Sequence, residues 1–169
     1  MADRASRYDA AMVGTFTEVM PTSAAIDRTL VDQPGVAGAL HAVDAAAWAA
    51  VDPTILELCR LRIAQLLGND AELALRTADV DLSEETITAL RSWPTSPLFE
   101  SRERACLAFC EQSIIDVANV TVEHTEAVAQ ELGVQGLVDF ISALLVVEQR
   151  QRLRLAWAKL FPAGGPDGA

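Results

Sequence analysis

The stretch between Asp52 and Gly68 constrains the fold of this chain more than any other, because it predicts a helix that is apolar on almost every side. Asp52 precedes Pro53, which places an N-cap residue before a proline at the first helical position. Gly68 stands where such a helix ends. The apolar residues between these points spread around the helix instead of forming one stripe, and a helix of this kind is buried on most sides. We therefore expect it at the centre of a helical domain.

Similar helix signals recur along the rest of the chain, and sustained alternation of apolar and polar residues is almost absent. We expect helices over residues 6–20, 23–31, 34–50, 53–67, 101–115, 121–133 and 135–160, and shorter ones opening at Asn69 and Ser83. The predicted fold class is all-α, with one domain over residues 1–161 and a disordered tail over 162–169. The last helix turns abruptly polar over 148–152, which indicates a core helix that emerges at a surface or a subunit contact.

Composition excludes several classes of protein. Asp and Glu number 24 against 13 for Lys and Arg, and the net charge of −11 repels phosphate backbones, so we expect no nucleic-acid partner. The longest uncharged apolar run near the C-terminus, 140–147, is far shorter than the ~20 residues of a membrane span, so we expect no membrane partner. Three cysteines without an apolar signal core indicate a reducing compartment and a cytoplasmic location. The Arg- and Ala-rich composition indicates a bacterial source.

Two motifs resemble a known family. The first runs from Glu57 to Gly68 as ELCRLRIAQLLG, and the second runs from Trp93 to Ala108 as WPTSPLFESRERACLA. Both resemble the signature of the carboxymuconolactone decarboxylase and alkylhydroperoxidase (AhpD-like) superfamily, and the resemblance covers roughly residues 50–160 in the family's order. It implies an AhpD-like helical bundle that assembles as a homo-oligomer, a trimer or a hexamer.

The peroxidase branch of that superfamily has C-x-x-C-x-x-x-H directly after the glycine, where a thiolate attacks the peroxide. In this chain Asn69, Glu72 and Arg76 stand at the two cysteine positions and the histidine position. We therefore expect no thiol peroxidase activity. Cys106 and Cys110 lie four residues apart on one helix, where a disulfide would distort the helix, and we interpret them as core residues. The sequence contains no metal-ligand spacing and no phosphate-binding loop, so we expect no metal and no cofactor.

The decarboxylase branch has an E-L-x-L-H stretch after the glycine, and this chain has ELALR from Glu72 to Arg76. Arginine stays protonated and its planar fork suits a carboxylate. The resemblance implies a cofactor-free acid/base lyase or isomerase that acts on a small organic acid or an enone. Its candidate catalytic residues are Glu57 and Glu72, and its candidate substrate-binding residues are Arg76, Asn69 and Arg60.

The same residues also have structural interpretations, which the sequence leaves open. Glu57 can pair with Arg60 three residues on, and Glu72 can complete a capping box with Asn69. Arg76 can pair with Glu72. Burial alone would raise the pKa of Glu57, whereas a close arginine would lower it. If the structural interpretations hold, the chain is a catalytically inactive binding or structural member of the superfamily.

Overall fold

The computed structural model describes residues 23–78 and 80–160 and shows an all-α fold, as the sequence predicts, with no strand in these two ranges. The helices are α1 (Ser23–Thr29), α2 (Pro34–Ala50), α3 (Pro53–Leu67), α4 (Asp70–Leu73), α5 (Glu84–Ala89), α6 (Ser101–Asp116) and α7 (Val122–Leu160). Short 3-10 turns follow α5 and α6, at Leu90–Ser92 and Val117–Asn119. The helix predicted over 6–20 and the tail predicted over 162–169 lie outside the described residues.

Helix α3 has the predicted bounds and the predicted burial. The Asp52 carboxylate accepts the backbone N–H of Thr54 at 2.9 Å, which caps the first turn, and Gly68 ends the helix in the left-handed region with a φ of 63°. Seven consecutive residues from Ile55 to Leu61 are buried, because α2, α6 and α7 all pack against this helix. A charged residue on α3 therefore has to find its partners inside the protein.

Helix α7 consists of two arms, 122–132 and 134–160, because Gly133 leaves the helical region with a φ of 77° and a ψ of 168°. The predicted boundary at Gly133 is thereby confirmed. The polar segment after Val147 is predicted to emerge at a surface or a subunit contact, but two of its residues are buried inside this chain, because Arg150 is only 8% exposed and Gln151 is fully buried. Gln151 Nε2 donates to the Arg60 carbonyl oxygen at 2.8 Å, which ties α7 to α3.

Helix α7 also contains an 18-residue window with a mean hydropathy of 1.4, of which 22% is buried inside the protein. By length and composition this helix is able to cross a membrane, although core helices of globular proteins reach the same values. The absence of a membrane partner and the cytoplasmic location therefore stay predictions.

Candidate functional site

Charged side chains from four helices meet in the interior of the bundle. We call this group the charge cluster; its members are Asp44 on α2, Glu57 and Arg60 on α3, Glu72 on α4, and Arg150 and Arg154 on α7. Three carboxylates face three guanidinium groups, so the cluster is neutral as a whole. Buried charges are tolerated when they are paired and hydrogen-bonded in this way.

Glu57, Arg60 and Thr77 form what we call the closed end of the cluster. Arg60 binds the Glu57 carboxylate through two parallel hydrogen bonds, from Nε to Oε2 and from Nη2 to Oε1, both at 2.7 Å. Thr77 Oγ1 donates to the same Oε2 at 2.6 Å. Glu57 is 1% exposed. Both of its oxygens are therefore occupied by protein donors, and neither is free to approach a substrate.

The pKa of Glu57 follows from these contacts. Burial by itself raises the pKa of a carboxyl group, but the hydrogen bonds and the charge of Arg60, together with Thr77, outweigh burial and hold the pKa of Glu57 below its ordinary value. The same partners outweigh the effect of burial on Arg60 and raise its pKa. Glu57 therefore has the close arginine that one of the two opposite expectations required, and its pKa is shifted in the direction given by that expectation. A buried carboxylate with a lowered pKa is a weak general base.

Glu72 connects the closed end of the cluster to the arginines of α7. The Asn69 side chain accepts the Glu72 backbone N–H at 3.3 Å, as expected of a cap. The Glu72 carboxylate does not complete the predicted capping box, because the Asn69 backbone N–H donates to Ala64 at 2.8 Å and the carboxylate turns to the arginines. It receives Arg60 Nη1 at 2.8 Å and also Arg154 Nη1.

Arg76, the predicted anion-binding residue, lies outside the cluster. Its side chain is 42% exposed and pairs with Glu84 across 3.2 Å, while its Nη1 donates to the Leu73 carbonyl oxygen at 2.7 Å. Helix α4 ends at Leu73, so the i,i+4 geometry that would join Glu72 to Arg76 is not formed. The structure therefore brings together Glu57, Glu72, Arg60 and the Asn69 cap, and leaves Arg76 apart from them.

Asp44, Arg150 and Arg154 form the cavity end of the cluster. Arg150 Nη1 donates to Asp44 Oδ1 at 2.7 Å. All three residues line a cavity of about 370 Å³ between α1, α2 and the second arm of α7. Its other lining residues are mostly apolar: Ile26, Leu40, Val43, Leu145, Val146, Gln149, Leu153 and Trp157. Burial raises the pKa of Asp44, and Arg150 offsets this only in part.

The residues of the cavity end were not predicted from the sequence, although two signals mark them. Asp44 is the single carboxylate in α2, whose other residues apart from His41 are apolar or small. Arg150 and Arg154 are spaced four residues apart, which places them on the same face of α7. No local sequence pattern pairs Asp44 with Arg150, because the two residues are 106 positions apart in the chain.

Residues of both motifs hold the fold together, in part through Glu111 on α6. Glu111 Oε2 accepts Trp93 Nε1 at 2.7 Å and Arg62 Nε at 3.0 Å, which joins α3, α6 and the turn between α5 and α6. Arg104 donates to the carbonyl oxygens of Trp93 at 3.0 Å and Pro94 at 2.7 Å. These contacts give the arginines and the tryptophan of the two motifs structural roles.

The three thiols and His124 lie in settings that do not favour catalysis. Cys59, Cys106 and Cys110 are buried and free, as the core interpretation predicts. The hydrogen bond with Cys110 and burial raise the pKa of Cys59, and burial raises the pKa of Cys106 to about 12. His124 accepts the Thr121 backbone N–H at 3.2 Å and so caps α7. Within the described ranges, no group of three or more His, Cys, Asp or Glu side chains could hold a metal ion.

No protein-family model matches this chain, and no curated protein is significantly similar to it in sequence.

Proposed function

We propose that this chain is a binding member of the AhpD-like superfamily, in which Glu57 and Glu72 stabilise the fold instead of transferring protons. The observation that carries the proposal is the saturation of Glu57, whose two oxygens accept hydrogen bonds from Arg60 and Thr77. A general base has to reach the proton that it abstracts. At 1% exposure Glu57 has no such access.

Substitution of the two cysteine positions of the peroxidase signature is consistent with this function. Asn69 caps α4 and Glu72 binds arginines, so both positions now stabilise local structure. The resemblance suggests a small organic acid or an enone as the bound molecule. The cluster is neutral only while all of its charges are present, so we expect the loss of one partner to reduce stability rather than catalysis alone.

The test compares binding with turnover. Small carboxylic acids and enones are incubated with the protein in D₂O, and NMR follows binding by saturation transfer and chemistry by proton exchange or decarboxylation. We expect binding without turnover in the wild type. Turnover that is lost in Glu57→Gln, with the fold retained by circular dichroism, would contradict the proposal and restore Glu57 as a catalytic residue.

A lyase or isomerase is a second candidate, and one observation favours it. Asp44 lines the cavity with a raised pKa, next to the Arg150 guanidinium, and this is the combination that proton abstraction beside a carbonyl requires. An enzyme of this kind would use Asp44 as its base. Exchange that is abolished in Asp44→Asn but kept in Glu57→Gln would support this candidate over the binding function.

We further propose that the chain assembles as a homo-oligomer. Helix α7 carries exposed apolar side chains at Val134, Val138, Ile141 and Leu145, with exposed fractions of 77%, 53%, 37% and 55%. Their spacing of three and four residues places them on one face of the second arm, and such a face is typical of a helix contact between subunits. Sedimentation equilibrium should give a mass well above the 18.1 kDa of one chain. A monomer mass at micromolar concentration would exclude the assembly.

A further inference from the structure

The cavity between α1, α2 and α7 has a lining that is almost entirely apolar, to which the charged residues Asp44, Arg150 and Arg154 also contribute. Its volume of about 370 Å³ lies within the usual range of roughly 300–1,000 Å³ for small-molecule sites. Leu40, Val43, Leu153 and Trp157 supply most of its apolar wall. The wall and the volume together fit one small molecule with a hydrocarbon chain or a single ring.

The charged residues on the lining are not balanced among themselves. Arg150 and Arg154 are cationic, and Asp44 is the one carboxylate on the lining within residues 23–78 and 80–160. Glu72, which neutralises the second arginine, contacts both guanidinium groups but is not part of the lining. With Glu72 included the charges around the cavity balance, so an anionic head group is held here by hydrogen-bond donors on the lining and not by a net positive charge.

Both arginines on the lining have N–H donors without a partner among the described residues, and those of Arg154 are the more accessible. An arginine side chain has five N–H donors. Arg154 uses Nη1 to bind Glu72, and it makes no other hydrogen bond to the described residues. Its side chain is 18% exposed, against 7% for Arg150, so its remaining N–H groups are the more accessible ones. Guanidinium groups with free parallel donors bind carboxylates well.

We propose that this cavity binds an amphipathic monocarboxylate, with its hydrocarbon part against Leu40, Val43 and Trp157 and its carboxylate at Arg154. This inference rests on the proposed binding function and adds to it the place and the chemical class of the ligand. The site is distinct from the position that the family resemblance assigns to Glu57, Glu72 and Arg76.

Octanoate, octan-1-ol and octylamine are suitable probes, because they share a chain and differ in the charge of the head group. Binding is measured by isothermal titration calorimetry and by the emission of Trp157, with Trp157→Phe as the control for the emission signal. We expect octanoate to bind more tightly than octan-1-ol, and octylamine to bind least. Equal binding of octanoate and octan-1-ol would overturn the carboxylate assignment.

Amino-acid substitutions test whether octanoate and octan-1-ol bind in this cavity. Val43 is 44% exposed, so Val43→Trp can fill the cavity without disturbing the core, and we expect it to abolish binding of octanoate and octan-1-ol alike. Arg154→Gln should weaken octanoate binding roughly tenfold or more and leave octan-1-ol binding nearly unchanged. Arg152→Gln is the matched control, because Arg152 lies on the same helix but lines a different groove and pairs with Glu148. It should bind octanoate as the wild type does.

The outcomes separate this inference from the proposed function. Octanoate binding that survives Val43→Trp would place the ligand elsewhere, which overturns the cavity site and leaves the binding function standing. Failure of all three probes, and of the wider set of acids and enones, would overturn both. Because Arg154 also contacts Glu72, circular dichroism and the octan-1-ol titration establish that Arg154→Gln keeps its fold.

Discussion

The two ends of the charge cluster contain the same kinds of side chain and behave differently. At the closed end, Glu57 accepts two hydrogen bonds from Arg60 and two from Thr77, and its pKa is lowered. At the cavity end, Asp44 accepts one hydrogen bond from Arg150, and its pKa is raised. Both carboxylates are buried, so burial alone does not set the direction of the pKa shift. The donors around each carboxylate set it, and they separate a structural group from one with reactive potential.

Removing the arginine of the closed end should have the largest effect on stability. Arg60→Met leaves Glu57 without its two parallel hydrogen bonds and removes one partner of Glu72, so Glu57 loses its charge compensation and Glu72 loses part of its own. We expect a loss of about 3–5 kcal/mol in the free energy of unfolding, measured by urea denaturation. Arg62→Met is the matched control, since Arg62 is only part-buried and pairs with Glu111. Equal losses in the two variants would remove the distinction between the closed end and an ordinary ion pair.

The corresponding change at the cavity end should cost less. Arg150→Met removes the partner of Asp44, and without that guanidinium burial favours the neutral carboxyl group further, which limits the cost of leaving Asp44 unpaired. We expect a loss of roughly 1–3 kcal/mol, the usual cost of a buried polar group without its partner. The same urea denaturation measures it at neutral pH. A loss as large as that of Arg60→Met would show that the two ends are energetically alike.

The pH dependence of stability should have opposite signs at the two ends. The pKa of Glu57 in the folded state lies below its ordinary value of 4.5, so the unfolded chain binds its proton first and the stabilisation from Glu57 is lost as the pH falls through the folded pKa. The pKa of Asp44 lies above its ordinary value of 3.8, so its charged form weakens the fold and its contribution improves as the pH falls.

Unfolding free energies of wild type, Glu57→Gln and Asp44→Asn, measured from neutral to acid pH, check this prediction. The deficit of Glu57→Gln relative to wild type should shrink as the pH falls, and the deficit of Asp44→Asn should grow. Parallel curves for the two variants would contradict the assignment of opposite pKa shifts.

The smallest effect is expected at Arg76, outside the cluster. Arg76→Gln removes an exposed pair with Glu84, and such surface pairs contribute about 0–1 kcal/mol. Octanoate binding and urea denaturation should both stay close to the wild-type values. A large loss of binding would place Arg76 in the ligand site after all, as the resemblance implies.

The sequence predicted the helices well because their signals are local. Asp52, Pro53 and Gly68 define α3 within one short stretch, and Gly133 marks the break within α7. The site was predicted in part. Glu57, Arg60 and Glu72 do meet, since α3 and the cap at Asn69 hold them close in sequence and in space. Arg154 could not be paired with Glu72 from the sequence, because 82 residues separate them and only the packing of α7 brings them together.

The most direct test of this account is the protonation of Glu57 itself. Carbon-13 NMR of the side-chain carboxyl groups gives the titration midpoints of Glu57 and Asp44 in one experiment, with Arg60→Met as the control. The account predicts a midpoint for Glu57 below 4.5 that rises in Arg60→Met, and a midpoint for Asp44 above 3.8. A midpoint for Glu57 above 4.5 in the wild type would contradict the structural role of Glu57 and reopen the case for Glu57 as a general base.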